Sequence, residues 1–257
     1  MRLLVTNDDG IESVVLSELV AALRAAKVET AVAAPRHEQS WVGAAKSRNR
    51  PVHSTAADRG FGCPTWIVDG TPSDCVHIAS DHLLPQPPDA VVSGINVGLN
   101  ASLGFIIASG TVAGAWEGAL HGLPAVAVSQ DVTYEIYEHL KSAGGRPDEA
   151  VLATLRVSAR RAAGLIPGLV AATAARSFII HNLNFPYPCL DDTPVRRTVP
   201  ARNLVPGLFS PQAEDGTHRL VFKAGEDVSP AAPLTDKAAL ASGWISHSVL
   251  DYTKLGT

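Results

Sequence analysis

Arg2-Leu3-Leu4-Val5-Thr6-Asn7-Asp8-Asp9-Gly10 is an apolar run that ends in two adjacent carboxylates and a glycine, and its reading decides the rest of the chain. The run has the length and composition of a buried strand. Neighbouring side chains on extended backbone point to opposite faces, so Asp8 and Asp9 share a partner only if the chain turns sharply after the strand. Gly10 permits that turn. Two carboxylates held together repel unless a cation or a proton lies between them, which makes the pair a candidate seat for a hard divalent metal. An acidic turn that caps the following helix is the competing reading of the same residues.

Further along, 28–34, 66–69, 89–93, 124–129 and 177–181 are short apolar runs with β-branched residues, like 2–6. Between several of them lie Ala- and Leu-rich stretches of helical character, at 12–26, 72–83, 111–121 and 148–164. This alternation predicts parallel strands joined by crossover helices: an α/β fold with a Rossmann-like, doubly wound, mostly parallel sheet. Continuous rather than alternating apolar strands fit burial on both faces. The section 185–235 differs, with several prolines, Asp215-Gly216 and a hairpin-like run from His218 to Lys223. It reads as a hairpin appendage. From Thr235 to Tyr252 a short helix precedes a strand or arm, which either docks on a partner subunit or folds back. The chain is therefore expected to be a single domain, 1–257, with a core at 1–185 and a hairpin and oligomerisation arm at 186–257.

Hydrophobic residues make up 46% and charged residues 18%, with a formal net charge of -4, which argues against disorder and gives no reason to expect a nucleic acid polymer as partner. Cys63, Cys75 and Cys189 are odd in number and lack CxxC spacing, so a reduced, cytoplasmic protein is expected. No signal peptide or membrane span is legible.

In an open parallel sheet, ligands bind beyond the carboxyl ends of the strands. Those ends carry Asn7-Asp8-Asp9, Pro35 to Ser40, and Ser93-Gly94-Ile95-Asn96. All offer hard oxygen ligands, and a hydroxyl and an amide carbonyl added to two carboxylates leave a divalent ion able to attract a phosphate. Ser109-Gly110-Thr111 then opens a helix, whose free N–H groups and positive dipole end make a phosphate seat. Taken alone, Ser109 reads equally as a plain N-cap. Arg36, His37 and Trp41 line the pocket or lie on a solvated loop. Trp116 and His121 are assigned to packing, and His181 to a structural role.

Together, Asn7-Asp8-Asp9-Gly10, Ala34-Pro35 with Ser40, Asp69-Gly70-Thr71-Pro72-Ser73-Asp74, Ser93-Gly94-Ile95-Asn96, Ser109-Gly110-Thr111-Val112, Asn182-Leu183-Asn184-Phe185-Pro186 and the block from Thr235-Asp236 to Ser246 resemble the SurE family of nucleotidases. The resemblance covers nearly the whole chain. It implies a metal-dependent phosphatase acting on nucleoside 5'- and 3'-monophosphates or a related nucleoside-like or sugar phosphate. It further implies metal ligation by Asp8, Asp9, Ser40 and Asn96, with catalysis at Asp8 and Asp9. Phosphate contacts fall to Asn96, Ser109, Gly110 and Thr111. One Mg²⁺ or Mn²⁺ per subunit and a homodimer or homotetramer built through the C-terminal arm complete the expectation. Trp41 after the ligand serine, Ala108 before Ser109, the 97–107 loop and the Ser246-His247-Ser248 ending depart from the family pattern, and they surround the entry to the phosphate seat. Two rivals stand beside this reading: a catalytically silent phosphate-ligand-binding protein and a receiver-like signalling module, the latter lacking its third Asp and its Lys at later strand ends.

Overall fold

The computed structural model describes residues 1–142 and 145–255. In chain order the strands are β1 (Arg2–Thr6), β2 (Glu29–Pro35), β3 (Ser54–Ala56), β4 (Thr65–Val68), β5 (Ala90–Val97), β6 (Ala125–Gln130), β7 (Ile179–Phe185), β8 (Val195–Thr198), β9 (Asn203–Leu204), β10 (Glu226–Asp227) and β11 (Ile245–Asp251). The helices are α1 (Val14–Ala25), α2 (Pro72–Ile78), α3 (Leu103–Ala108), α4 (Gly110–Leu120), α5 (Tyr134–Lys141), α6 (Glu149–Ala171) and α7 (Asp236–Ala241). The main sheet has the order β3-β4-β2-β1-β5-β6-β7-β11-β8. Every pairing from β4 to β7 is parallel, which is the doubly wound arrangement that the alternating sequence predicts.

Strand side chains alternate between two cores. Leu3 and Val5 pack with α1 and α6 on one face, while Leu4 and Val91 pack with α2 on the other. Helix α4 joins that second face through glycine. Gly110, Gly114 and Gly118 recur every fourth residue, so they share one side of the helix. A Cβ at Gly114 would lie 2.8 Å from Ser93 Oγ and 2.9 Å from Thr6 Cγ2, and one at Gly118 would lie 2.5 Å from Val91 Cβ. The helix backbone therefore rests directly on β1 and β5.

Three features differ from the sequence reading. The helix expected over 72–83 is α2 followed by a π-helical turn, Ala79–Leu83. Helix α6 runs on to Ala171, through Pro167. The C-terminal part is also more integral than an appendage: β11 lies antiparallel to β7 and parallel to β8, inside the main sheet. Among the described residues after 185, β8, α7 and β11 are joined by the short β9–β10 pair and by isolated bridges between Val199 and Thr235 and between Phe209 and Leu220. Among the described residues no helix is long and apolar enough to cross a membrane. All three cysteines are free.

The glycine contact yields a direct comparison. In urea denaturation, Gly118→Ala should lower the unfolding free energy by about 1–3 kcal/mol through overpacking against Val91. Gly164→Ala, on α6 where an added Cβ meets nothing within 4 Å, should be neutral or stabilising by up to about 1 kcal/mol. Equal effects would contradict the close approach.

Candidate active site

Strand β1 sits at the topological switch point, with β2 on one side and β5 on the other, so a crevice opens beyond their carboxyl ends. The turn after β1 is held by the Asn7 amide, whose Nδ2 donates to Gly10 O at 2.9 Å, with Gly10 at φ +89°. It sends the two carboxylates apart. Asp8 turns toward α4, where its Oδ1 accepts the Thr111 hydroxyl at 2.7 Å and its Oδ2 accepts the Thr111 N–H at 3.1 Å. Asp9 turns toward the end of β5, where its Oδ2 accepts the Val97 N–H at 2.8 Å. The other oxygen of Asp9 accepts the ammonium of Lys141.

That ammonium also ties Asp9 to the loop after β2. Besides Asp9, Lys141 Nζ lies 3.3 Å from Glu38 Oε1 and 3.5 Å from Ser40 Oγ. The loop after β2 that carries Glu38 and Ser40 is fixed in turn, because Gln39 N–H donates to Asp8 O at 2.7 Å. Strand β5 shifts its register with β6 between Ser93 and Asn96, a bulge of the kind that re-aims side chains beside functional sites. The Asn96 amide nitrogen donates to Gly98 O at 2.7 Å, which leaves its carbonyl as the ligand end. Asp9, Glu38 and Ser40 are thus brought together around Lys141, Asp8 lies close enough to feel Asp9 and Lys141 electrostatically, and Asn96 adjoins the residue that bonds Asp9.

The start of α4 is filled by protein. Ser109 Oγ accepts the Val112 N–H at 3.0 Å as an N-cap, and both polar groups of Thr111 hold Asp8. A Cβ at Gly110 would lie 2.9 Å from Asp8 Cβ. The helix N-terminus is therefore already engaged by the Asp8 carboxyl group. Burial and the neighbouring Asp9 push Asp8 up to about 7, opposed by the Thr111 hydroxyl and Lys141. Burial likewise raises Asp9 against the pull of Lys141. Burial works against the Lys141 ammonium, but Asp9, Glu38 and Tyr137 outweigh it and hold the pKa above the usual lysine value. A buried acid pair with hydroxyl and amide oxygens beside it, crossed by a protein ammonium, fits a hard divalent ion in donor type and charge.

Several motif residues position the site instead of entering it. Asn182 and Asn184 both donate to Asn100 O, at 2.9 and 3.2 Å, and Asn100 N–H donates to Asn184 Oδ1 at 2.8 Å, pinning the 97–107 loop. Buried Asp236 accepts N–H groups from Ser102 at 2.8 Å and Ala201 at 2.9 Å, tying the C-terminal block to the start of α3. Trp41 meets Phe105 edge-on at 5.6 Å, and Phe105 stacks on Phe222 at 5.8 Å, forming an aromatic wall by Ser40. Arg36 and His37 are exposed. Trp116 stacks on Tyr252 with centroids 4.0 Å apart. His181 contacts Thr173 and His247 at 2.7 and 2.9 Å, a structural role. His121 is not simple packing, since it bonds His77 at 2.9 Å. Lys141 and Glu38 escaped the sequence reading. The available signal for Lys141 was Thr133 with Glu135 after it and His139 and Lys141 at the far end, the start and stop marks of α5.

A family model described as survival protein SurE matches residues 3–204. A 5'-nucleotidase SurE from Desulfovibrio desulfuricans is 35% identical over 98% of this chain and 94% of its own length. One from Desulforudis audaxviator is 44% identical, but the match covers 50% of each chain, so the chain spans only about half the length of some curated relatives. The crystal structure of the SurE protein from Aquifex aeolicus superposes with a TM-score of 0.74 at 25% identity, covering 98% of this chain and 93% of that one.

The acid pair makes stability depend on pH. Folded, metal-free Asp8 keeps its proton up to about 7, whereas an unfolded carboxyl releases it near about 4. The folded state binds more protons between those values, so its stability falls as pH rises through that window. In chelator, Tm should drop across the window, Asp8→Asn should remove much of the drop, and excess Mg²⁺ or Mn²⁺ should restore Tm at neutral pH. Identical pH profiles for wild type and Asp8→Asn would contradict the assignment.

Proposed function

Because this chain belongs to the survival protein SurE family, we propose that it is a divalent-metal-dependent phosphomonoesterase that hydrolyses nucleoside 5'- or 3'-monophosphates or a closely related phosphate metabolite. The observation that carries this reading is the buried Asp8–Asp9 pair at the switch point, with a cation lodged between Asp9, Glu38 and Ser40. The curated relatives' name, 5'-nucleotidase, points to the same chemistry.

We assign Asp8, Asp9, Ser40 and Asn96 to one Mg²⁺ or Mn²⁺ per subunit, and Asn96, Ser109, Gly110 and Thr111 to the substrate phosphate, which would share with Asp8 the Thr111 donors that Asp8 holds in the structure. When bound, the ion supplies charge neutralisation and Lewis-acid polarisation of the phosphoryl oxygens. The chain does the rest by alignment and electrostatics, which dominate phosphoryl transfer. Thr111 fixes Asp8 through two hydrogen bonds and Val97 N–H fixes Asp9, so both carboxylates meet the substrate pre-oriented. An Asp carboxylate oxygen would accept the proton of the water as its oxygen bonds to phosphorus and the P–O bond to the alcohol breaks, the proton then passing to the leaving alkoxide. The dipole of α4 adds positive potential at the phosphate, and Lys141 supplies a formal positive charge at the mouth. Trp41, Phe105 and Phe222 offer ring faces on which a nucleobase stacks.

We place the protein in the cytoplasm, in keeping with three unpaired cysteines. A homodimer or homotetramer through 186–257 is supported by the exposed apolar residues Phe209, Leu220 and Phe222 of that segment.

With p-nitrophenyl phosphate and Mn²⁺, Asp8→Asn and Asp9→Asn should each lose about 100-fold or more in turnover; rates like wild type in both would sink the site. A phosphate-release panel of 5'- and 3'-nucleoside monophosphates, sugar phosphates and short polyphosphate should give metal-dependent release from the nucleotides. Silence from every member favours a binding protein over an enzyme.

The aromatic wall is separately testable. Trp41→Ala should raise KM for nucleoside monophosphates by about 5-fold or more, the lower end of a base-stacking loss, while KM for ribose 5-phosphate stays put. Equal changes for both substrates would remove Trp41 from base recognition.

A further inference from the structure

Helices α2 and α4 lie side by side, and near their carboxyl ends each presents a pair of ligand-bearing residues four positions apart: His77 with Asp81, and Glu117 with His121. That spacing puts each pair on one helical face. The π-helical turn after α2 carries Asp81 to the cluster. His121 Nε2 lies 2.9 Å from His77 Nδ1, with the rings 4.7 Å apart and tilted by 56°. Asp81 Oδ1 lies 3.7 Å from His121 Nδ1, the ring nitrogen opposite the one that faces His77. One ligand atom from each of His77, Asp81 and His121 falls within 4.8 Å of the others, the one such grouping of histidine and acidic or thiol ligands among the described residues.

The residue behind this cluster has its own logic. Glu117 is fully buried, takes the ammonium of Lys46 on one oxygen, and lies 2.8 Å from His77 Nε2 with the other. A carboxylate there requires the proton on Nε2, so the lone pair of His77 sits on Nδ1, facing His121. A buried carboxylate behind an imidazole is the arrangement that fixes the tautomer and raises the basicity of a histidine ligand. Burial and the adjacent His77 hold His121 below the usual histidine range, outweighing Asp81 and Glu117. Two imidazole nitrogens on one tetrahedral ion stand about 3.3 Å apart for bonds of about 2.0 Å. The observed 2.9 Å pair needs to open by only a few tenths of an ångström.

We propose that His77, His121 and Asp81 form a second metal site, specific for a zinc-class divalent transition ion, that clamps α2 to α4 at the far end of the helix from Asp8. Two imidazoles and one carboxylate are borderline donors, unlike the all-oxygen set at Asp8 and Asp9. Ten residue steps along α4 and its C-cap lead from Thr111 to His121, about 15 Å along the axis, so the two ions do not share ligands. Asp81 is exposed, which leaves the fourth coordination position to water.

The test uses the whole chain with millimolar Mg²⁺ present to fill the oxygen site. Titration of Zn²⁺ against a chromophoric chelator should give one tight site per chain, unchanged in Asp8→Asn. His121→Asn should weaken it by about 100-fold or more, and Glu117→Gln by about 10-fold. Circular dichroism establishes that the variants fold. On the wild type alone, Cu²⁺ should show electron paramagnetic resonance coupling to two imidazole nitrogens, which an all-oxygen site cannot produce. Absence of tight Zn²⁺ binding in the wild type, undiminished binding in folded His121→Asn, or a Cu²⁺ spectrum without two-nitrogen coupling would overturn the proposal.

Discussion

Helix α4 lies with Gly110, Gly114 and Gly118 against Asp8, Ser93 and Val91, at distances that leave no room for a side chain on the helix. The site is built on that approach. Because the helix backbone is this close to β1, its first turn comes within reach of Asp8, and Thr111 closes the gap with a hydroxyl and an N–H. A larger residue at any of the three positions lifts the helix, and the hydrogen bonds to Asp8 lengthen with it. The polar motif at 109–111 and the small residues after it are therefore one device: the first supplies the donors, the second sets their distance.

The acid pair imposes the second constraint. Two buried acids on consecutive residues are tolerated because they are led in different directions, Asp8 to a helix N-terminus, where burial raises its pKa, and Asp9 to an ammonium. The ammonium comes from α5, none of whose residues is fully buried. Ile136, Tyr137 and Leu140 rest on the main core only partly covered, so the element that carries the site's cation is among the least anchored in the fold.

The strand ends and the parallel order were legible because each follows from a local pattern plus one topological rule. Lys141 was not, since a lysine at the end of a polar helix looks like any solvated cation until the fold brings it over Asp9. Nor was the filling of the α4 N-terminus by Asp8, which depends on a contact across 103 residues of sequence. The short helix and following strand between Thr235 and Tyr252 were legible, but not the insertion of β11 between β7 and β8, a pairing that no local pattern reports. His121 was read as packing because its partner, His77, sits 44 residues away on another helix.

Strand β11 has one more consequence, for biosynthesis. It fills the gap between β7 and β8, although roughly fifty residues of chain separate β8 from it. Until Ile245–Asp251 leaves the ribosome, β7 presents an open row of backbone donors and acceptors, the kind of edge that invites pairing with another chain. The nascent protein can assemble its parallel core early, but that edge is sealed only after the chain has been made through Asp251. Crowded translation of this chain is where aggregation pressure falls, and the seven residues of β11 relieve it.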